Sequence, residues 1–298
     1  LVAGADWPQS QDQYGQPAPR VKGELSARGV RPVVRGNLVV ELEGEAQPSA
    51  RLAMVGLFVE GQLRVTAKGD LGELDLQHCT IVRDRDEPGG PAIAIEAGHD
   101  RLAVRLERCI TGFVECASAE SVVVQDCIVE AGEDKALVGG PARVEIEGST
   151  VFGVTSAHEL WASNSIFMER VEVDRRQVGC MRYCYVAPGS PKQRSRTPRR
   201  YRCQPDRALE ARAAELRLRG PVALPEVERT RVLDRVQPRF VSRALGQPAH
   251  ARLVVDGPEE IGRGAEDGSE MGAFFHLKEP QREASLRQAL EEYLRFGL

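Results

Sequence analysis

Apolar residues along the central half of the chain come in pairs two positions apart, and a small residue follows three positions later. The clearest copies are Leu74-x-Leu76-x-x-Cys79-x-Ile81, Val104-x-Leu106-x-x-Cys109, Val122-x-Val124-x-x-Cys127-x-Val129, Val144-x-Ile146-x-x-Ser149-x-Val151 and Leu160-x-Ala162-x-x-Ser165-x-Phe167. Leu52-x-Met54-x-x-Leu57-x-Val59 is a looser copy ahead of them. Two-residue alternation predicts strands with one buried face. The copies begin 22, 30, 18, 22 and 16 residues apart, at 52, 74, 104, 122, 144 and 160. A period near 20 with variable insertions points to stacked coils, because a doubly wound sheet would need helices between its strands. No helical pattern interrupts residues 38–186. Shorter alternating pieces, Leu63-x-Val65, Ile93-x-Ile95, Phe113-Val114 and Val171-x-Val173, fill the gaps.

The pattern therefore predicts an all-β chain, a right-handed parallel β-helix (solenoid) with end caps, a basic loop insertion and a C-terminal α-helix. A sandwich of unrelated strands is the competing reading. The x-x step is a sharp bend holding His78, Arg108, Asp126, Gly148 and Asn164. Gly, Asn and Asp suit a left-handed backbone, and His and Arg suit it less. The Cys or Ser after the bend is read as a small interior residue. The expected segments are an N-terminal cap over 1–37, coils over 38–186, a basic loop over 187–205, a helix and connection over 206–230, a closing coil over 231–275 and a C-terminal helix over 276–298. Asp206 is expected to cap the first helix, with Leu209, Ala213 and Leu216 on its apolar face. Leu286, Leu290, Tyr293 and Leu294 form the stripe of the last one.

The closing region carries a resemblance. Pro238, Phe240, Val241, Leu253, Ile261, Gly264, Gly268, Met271, Gly272, Ala273 and Phe274 resemble the final rungs of bacterial right-handed β-helix proteins of the pectate-lyase-like superfamily. The superfamily's Asp before Pro238 and Glu after Phe274 are missing. Narrower runs, "GCMRYCYVAPGS", "TPRRYRCQPD" and "EMGAFFHLKEPQREASLRQALEEYLRFGL", resemble a bacterial family without assigned activity, found in gene clusters for phage-tail-like contractile injection particles. That resemblance implies a protein partner in a tail-like assembly, and no mechanism.

Composition narrows the classes. Apolar residues make up 42% of the 298 and charged residues 28%, enough for a buried core and against global disorder. The net charge of −4 argues against attraction of the whole chain to nucleic acid or anionic membrane. No apolar run approaches the roughly 20 residues of a membrane helix. The first residues show no secretory signal, so a cytoplasmic or particle-associated location is expected.

Candidate chemistry is sparse. Arg175 to Arg202 holds nine Lys/Arg and no Asp or Glu. Within it Lys192, Arg194, Arg196, Arg199, Arg200, Tyr201 and Arg202 are the candidate partner-binding residues, for an acidic protein surface. A solvated loop is the plainer reading. Cys180, Cys184 and Cys203 flank this stretch as free thiols, a disulfide at the loop base, a redox group, or three ligands of a metal lacking a fourth. Glu145 and Glu147 point outward roughly 7 Å apart by strand rise, and Trp161 lies on the same face. They are the catalytic candidates if the chain is a lyase-like or glycosidase-like enzyme or a glycan binder. A Ca²⁺ loop at Asp84, Asp86 and Glu87 is weighed against a solvated acidic turn. No phosphate loop, HExxH or GxSxG occurs, and no cofactor is expected. The leading expectation is a non-catalytic structural or adaptor protein.

Overall fold

The computed structural model describes residues 2–3, 16, 32–42, 50–69, 71–83, 90–190, 193–247, 249–279, 281 and 285. Its strands are almost all parallel, and each pairs with the strand one repeat along the chain. The longer strand of each repeat joins a nine-stranded sheet that takes up 2–3, 51–55, 73–77, 103–107, 121–125, 143–147, 159–163, 179–182 and 199–201 in chain order. The register is in step throughout: Leu52, Leu74, Val104, Val122, Val144 and Leu160 are successive partners.

The remaining strands form two further ladders, joined into one 13-stranded sheet by Ile128–Val138 and Thr150–Ala157. One ladder contains Phe58–Glu60, Thr80–Val82, Ile110–Thr111, Ile166–Phe167 and Tyr185–Val186. The other contains Leu63–Val65, Ile93–Ile95, Val114–Cys116 and Val171–Val173. Each full repeat thus adds one strand to each of three ladders, an arrangement consistent with a β-helix-like solenoid. The alternate residues of all three ladders meet in one continuous core. Among the described residues no helix occurs before Asp206.

The bends explain the repeated phrase. His78, Arg108, Asp126, Gly148 and Asn164 all have φ between 50° and 52°. The following residue then turns inward, and its Sγ or Oγ donates to the carbonyl two positions back. The distances are 3.3 Å for Cys109 to Glu107, 3.1 Å for Cys127 to Gln125, 2.8 Å for Ser149 to Glu147 and 2.7 Å for Ser165 to Ser163. The same atom accepts from the neighbouring repeat: the Cys109 N–H reaches Cys127 Sγ at 3.3 Å, and the Cys127 N–H reaches Ser149 Oγ at 3.1 Å. A small side chain that both donates and accepts satisfies a buried bend, where an alanine would leave polar groups without partners.

Two more copies of the phrase continue the column. Tyr183 and Arg202 are left-handed at φ 50° and 52°, and Cys184 and Cys203 follow them, buried. The 187–205 stretch is therefore only partly a loop. Gly189–Ser190 and Gln193–Arg194 form a small antiparallel pair, and Arg199–Tyr201 is the last strand of the nine-stranded sheet.

Beyond the strands the chain departs from expectation. Helix α1 spans Asp206–Glu215, but Pro205 holds its cap position, and the side chain that serves its first turn is that of Gln204, whose Oε1 accepts the Ala208 N–H at 3.2 Å. The Asp206 carboxylate pairs instead with Arg200 at 3.0 Å, because the preceding strand delivers that cation to the helix start. Leu216 is 39% exposed, since α1 ends one residue earlier. An unforeseen helix α2, Glu226–Val236, packs Val232 and Val236 on Leu209 and Ala213 of α1 and crosses the expected boundary at 230/231.

Residues 237–275 form no further rung. Their isolated bridges, Phe240 with Leu253 and Ser242 with His250, join them only to each other. They lie as a strap on the outside of the second ladder, where Phe240, Ala251 and Ala273 meet Ile128 and Phe152, and Ile261 and Met271 meet Ile166 and Tyr185. Outward apolar residues on that ladder required a cover, and the strap supplies it. The last-helix residues Leu286, Leu290, Tyr293 and Leu294 and most of the 1–37 segment lie outside the described residues.

Candidate functional site

The outer face of the nine-stranded sheet carries two columns of side chains between the buried ones. Glu145 is bound by Arg143 at 2.7 Å, and the Arg143 guanidinium lies 4.1 Å over the Trp161 ring. The expected sugar platform is therefore occupied by the protein's own cation, which also pairs with Glu145. Glu147, two residues on, is exposed.

The electrostatically unusual group is Asp126, at the bend beside Glu147's column. It is 8% exposed. Its Oδ2 lies 3.8 Å from Arg108 Nε and its Oδ1 lies 3.8 Å from His276 Nδ1. Burial pushes its carboxyl up to about 6; Arg108 pulls the other way, and Glu147 and Glu107 add to the rise. Burial, with Arg108 second, holds His276 below the ordinary histidine value. Glycine at 148 leaves the room, because a Cβ there would stand 2.7 Å from Asp126 Oδ1 and 3.1 Å from Phe275. The sequence marked Asp126 only as a bend residue. Its meeting with His276, 150 positions away, depends on where the strap lands.

The basic candidates separate. Arg199 and Tyr201 take the registers of outward Cys180 and Arg182, while Arg200 takes that of buried Met181 and ends the inner column in its pair with Asp206. Arg202 lies 5.5 Å over the Tyr201 ring and 5.8 Å over that of Tyr183, and the two rings meet edge to face at 6.0 Å. This is a built cation–aromatic cluster at the edge of the last strand. Arg196 is exposed and bridges through its backbone to Glu172. Lys192 and the side chain of Arg194 lie outside the described residues, as do Asp84, Asp86 and Glu87.

The three candidate thiols do not converge. Cys180 faces outward and is half-buried, whereas Cys184 and Cys203 sit in the interior column. All seven cysteines are free thiols, so the disulfide at the loop base is not formed. The alternation of the strand puts Cys180 on the opposite side of the wall from the other two, which excludes one metal ion held by all three. Among the described residues no three His, Cys, Asp or Glu side chains are grouped to hold a metal ion.

No family model, curated protein or solved structure matches the chain. The likeness to stacked-strand proteins is one of architecture and rests on the parallel ladders alone, and the tail-particle association has no support beyond the quoted runs. No helix among the described residues is long and apolar enough to cross a membrane.

Proposed function

We propose that this chain is a non-catalytic adaptor: a right-handed parallel β-helix that holds a basic, aromatic edge at a fixed place for an acidic protein partner. The handedness follows from the strong preference of parallel crossover connections. The observation that carries the reading is the Tyr183–Arg202–Tyr201 cluster beside exposed Arg199, mounted on the last strand of an in-register stack. Stacked strands sharing one core move little relative to one another, so such an edge is presented rigidly. Three outer carboxylates elsewhere are engaged between rungs: Glu73 with Arg51 at 3.2 Å, Glu60 with Arg35 at 3.4 Å, and Glu96 with Arg64. The partner we favour is an acidic surface of a contractile tail-like particle, as the sequence resemblance nominates.

The test is binding of the full chain to purified sheath, tube and baseplate proteins of such a particle. The combined Arg199→Glu and Arg202→Glu variant should weaken binding by about tenfold or more, as loss of charge complementarity does. Unchanged affinity, or no binding to any of them, rejects the reading. Deleting the stretch is a poor test, because 199–201 belongs to the sheet.

One observation favours a second reading, a polysaccharide lyase or hydrolase. Asp126 is a buried carboxyl, tuned to about 6, between an arginine and a histidine with Glu147 close by. Such perturbed groups gather at active sites. Release of reducing or unsaturated ends from acidic and neutral polysaccharides, abolished in Asp126→Asn, would replace the adaptor reading.

A further inference from the structure

We infer that the cleft between α1, α2 and the turn at 260–268 receives an acidic, aliphatic peptide segment of a partner protein, an inference that shares Tyr183 and Arg202 with the adaptor edge and otherwise takes from that reading only that the partner is a protein. The cleft has a volume of about 920 Å³. Ala208, Val232 and Ala265 are buried, apolar side chains along it. Its lining contains six arginines against four glutamates, in a chain whose net charge is −4. The excess cation is thus local and set against the field of the whole molecule.

The arginines are not equally committed. Arg212 is shared by Glu215 and Glu228 at 2.8 Å each, Arg235 is bound by Glu260, and Arg263 reaches Glu259 at 3.6 Å. Among the described residues Arg207, exposed on the first turn of α1, has no carboxylate within ion-pair distance. Arg202 lies against tyrosine rings in place of a carboxylate. Four of the six cations, Arg212, Arg231, Arg235 and Arg263, are already held by glutamates, which leaves too few free donors to converge on a single phosphate and suits carboxylates spaced along a chain. Shallow apolar floors between charged rims accept the aliphatic side chains of such a segment.

The experiment uses a fluorescein-labelled peptide of alternating glutamate and leucine, with a lysine–leucine peptide as control, read by fluorescence anisotropy on the full chain. The acidic peptide should bind, more weakly as salt is raised, and the lysine peptide should not. Arg207→Glu, which breaks no ion pair and is checked for intact folding by circular dichroism, should weaken binding by about tenfold, while Arg199→Glu, outside the cleft, should leave it unchanged. No binding of the acidic peptide, or equal binding by wild type and Arg207→Glu, overturns the inference. Loss in Arg199→Glu with retention in Arg207→Glu also overturns it, while leaving the adaptor edge in place. Peptide binding lost in Arg207→Glu, in a chain that ignores the tail proteins, upholds the cleft and rejects the adaptor partner proposed above.

Discussion

At the bend, one residue decides how a rung closes and the next decides how its polar groups are satisfied. Cys127 is fully buried, donates to Gln125 and accepts from Cys109. Cys127→Ser preserves both bonds, as Ser149 shows one rung along, and should cost less than about 1 kcal/mol. Cys127→Leu overfills a packed column and should cost roughly 1–3 kcal/mol, read from urea unfolding. Equal costs would mean that the column tolerates volume. Asp126 makes a separate prediction. Its folded value of about 6 lies above the ordinary carboxylate value near 4, so in that window the folded chain binds more protons than the unfolded one. Its contribution to stability therefore falls as pH rises through the window and stays lost above it. Asparagine tolerates the left-handed backbone and does not ionise. Asp126→Asn should lose roughly 1–3 kcal/mol less than wild type between pH 4 and pH 8. Parallel losses would place the pH response in other groups, such as Glu270, whose carboxyl burial pushes up to about 7.

The element whose attachment is most exposed to test is the strap. It is pinned at Asn164, whose Oδ1 accepts the Glu266 N–H at 2.9 Å and whose carbonyl accepts the Gly272 N–H at 2.8 Å, and at Thr150, whose Oγ1 accepts the Ala273 N–H at 3.0 Å. Gly272 needs its φ of 96°, and a Cβ there would stand 2.5 Å from Thr150 Oγ1 and 3.0 Å from Ile166. Gly272→Val should therefore free the strap, with faster amide exchange over 250–277 and unchanged exchange over 73–125. Protection lost evenly across the chain would show that the strap is part of the cooperative core. Its sequence is legible as an apolar, turn-rich segment, and a closing coil was the natural expectation. What placed it outside was the row Ile110, Ile128, Ile166 and Tyr185 on the second ladder, whose outward direction depends on strand register.

Across the whole molecule, each rung touches mainly its neighbours, so damage should stay local. Met181 is fully buried in the rung before the last strand. Met181→Ala should cost about 2–4 kcal/mol. Amide protection should fall over 179–203 and α1 and survive over 73–125. Uniform loss would mean that the stack unfolds as one body. The ion pair of Arg200 and Asp206 gives the same end of the stack a polar finish, where another apolar residue would have exposed the column.

Side-chain alternation every two residues, a small polar residue after each bend and a repeat near 20 residues are local properties, so the chain's own pattern determined the parallel strands, their in-step partners and the cysteine column. The copies at Cys184 and Cys203 are harder to read because Gly179 replaces the first apolar residue of one, while Pro198 and Arg200 replace both apolar residues of the other, and those replacements also make a strand read as a basic loop. Tertiary structure alone decided where the strap lies, that Arg143 covers Trp161, that Asp126 meets His276 and that two helices enclose an arginine-lined cleft. Those contacts join residues far apart in the chain, and their energy arises only once separate surfaces are brought together, which no periodicity records.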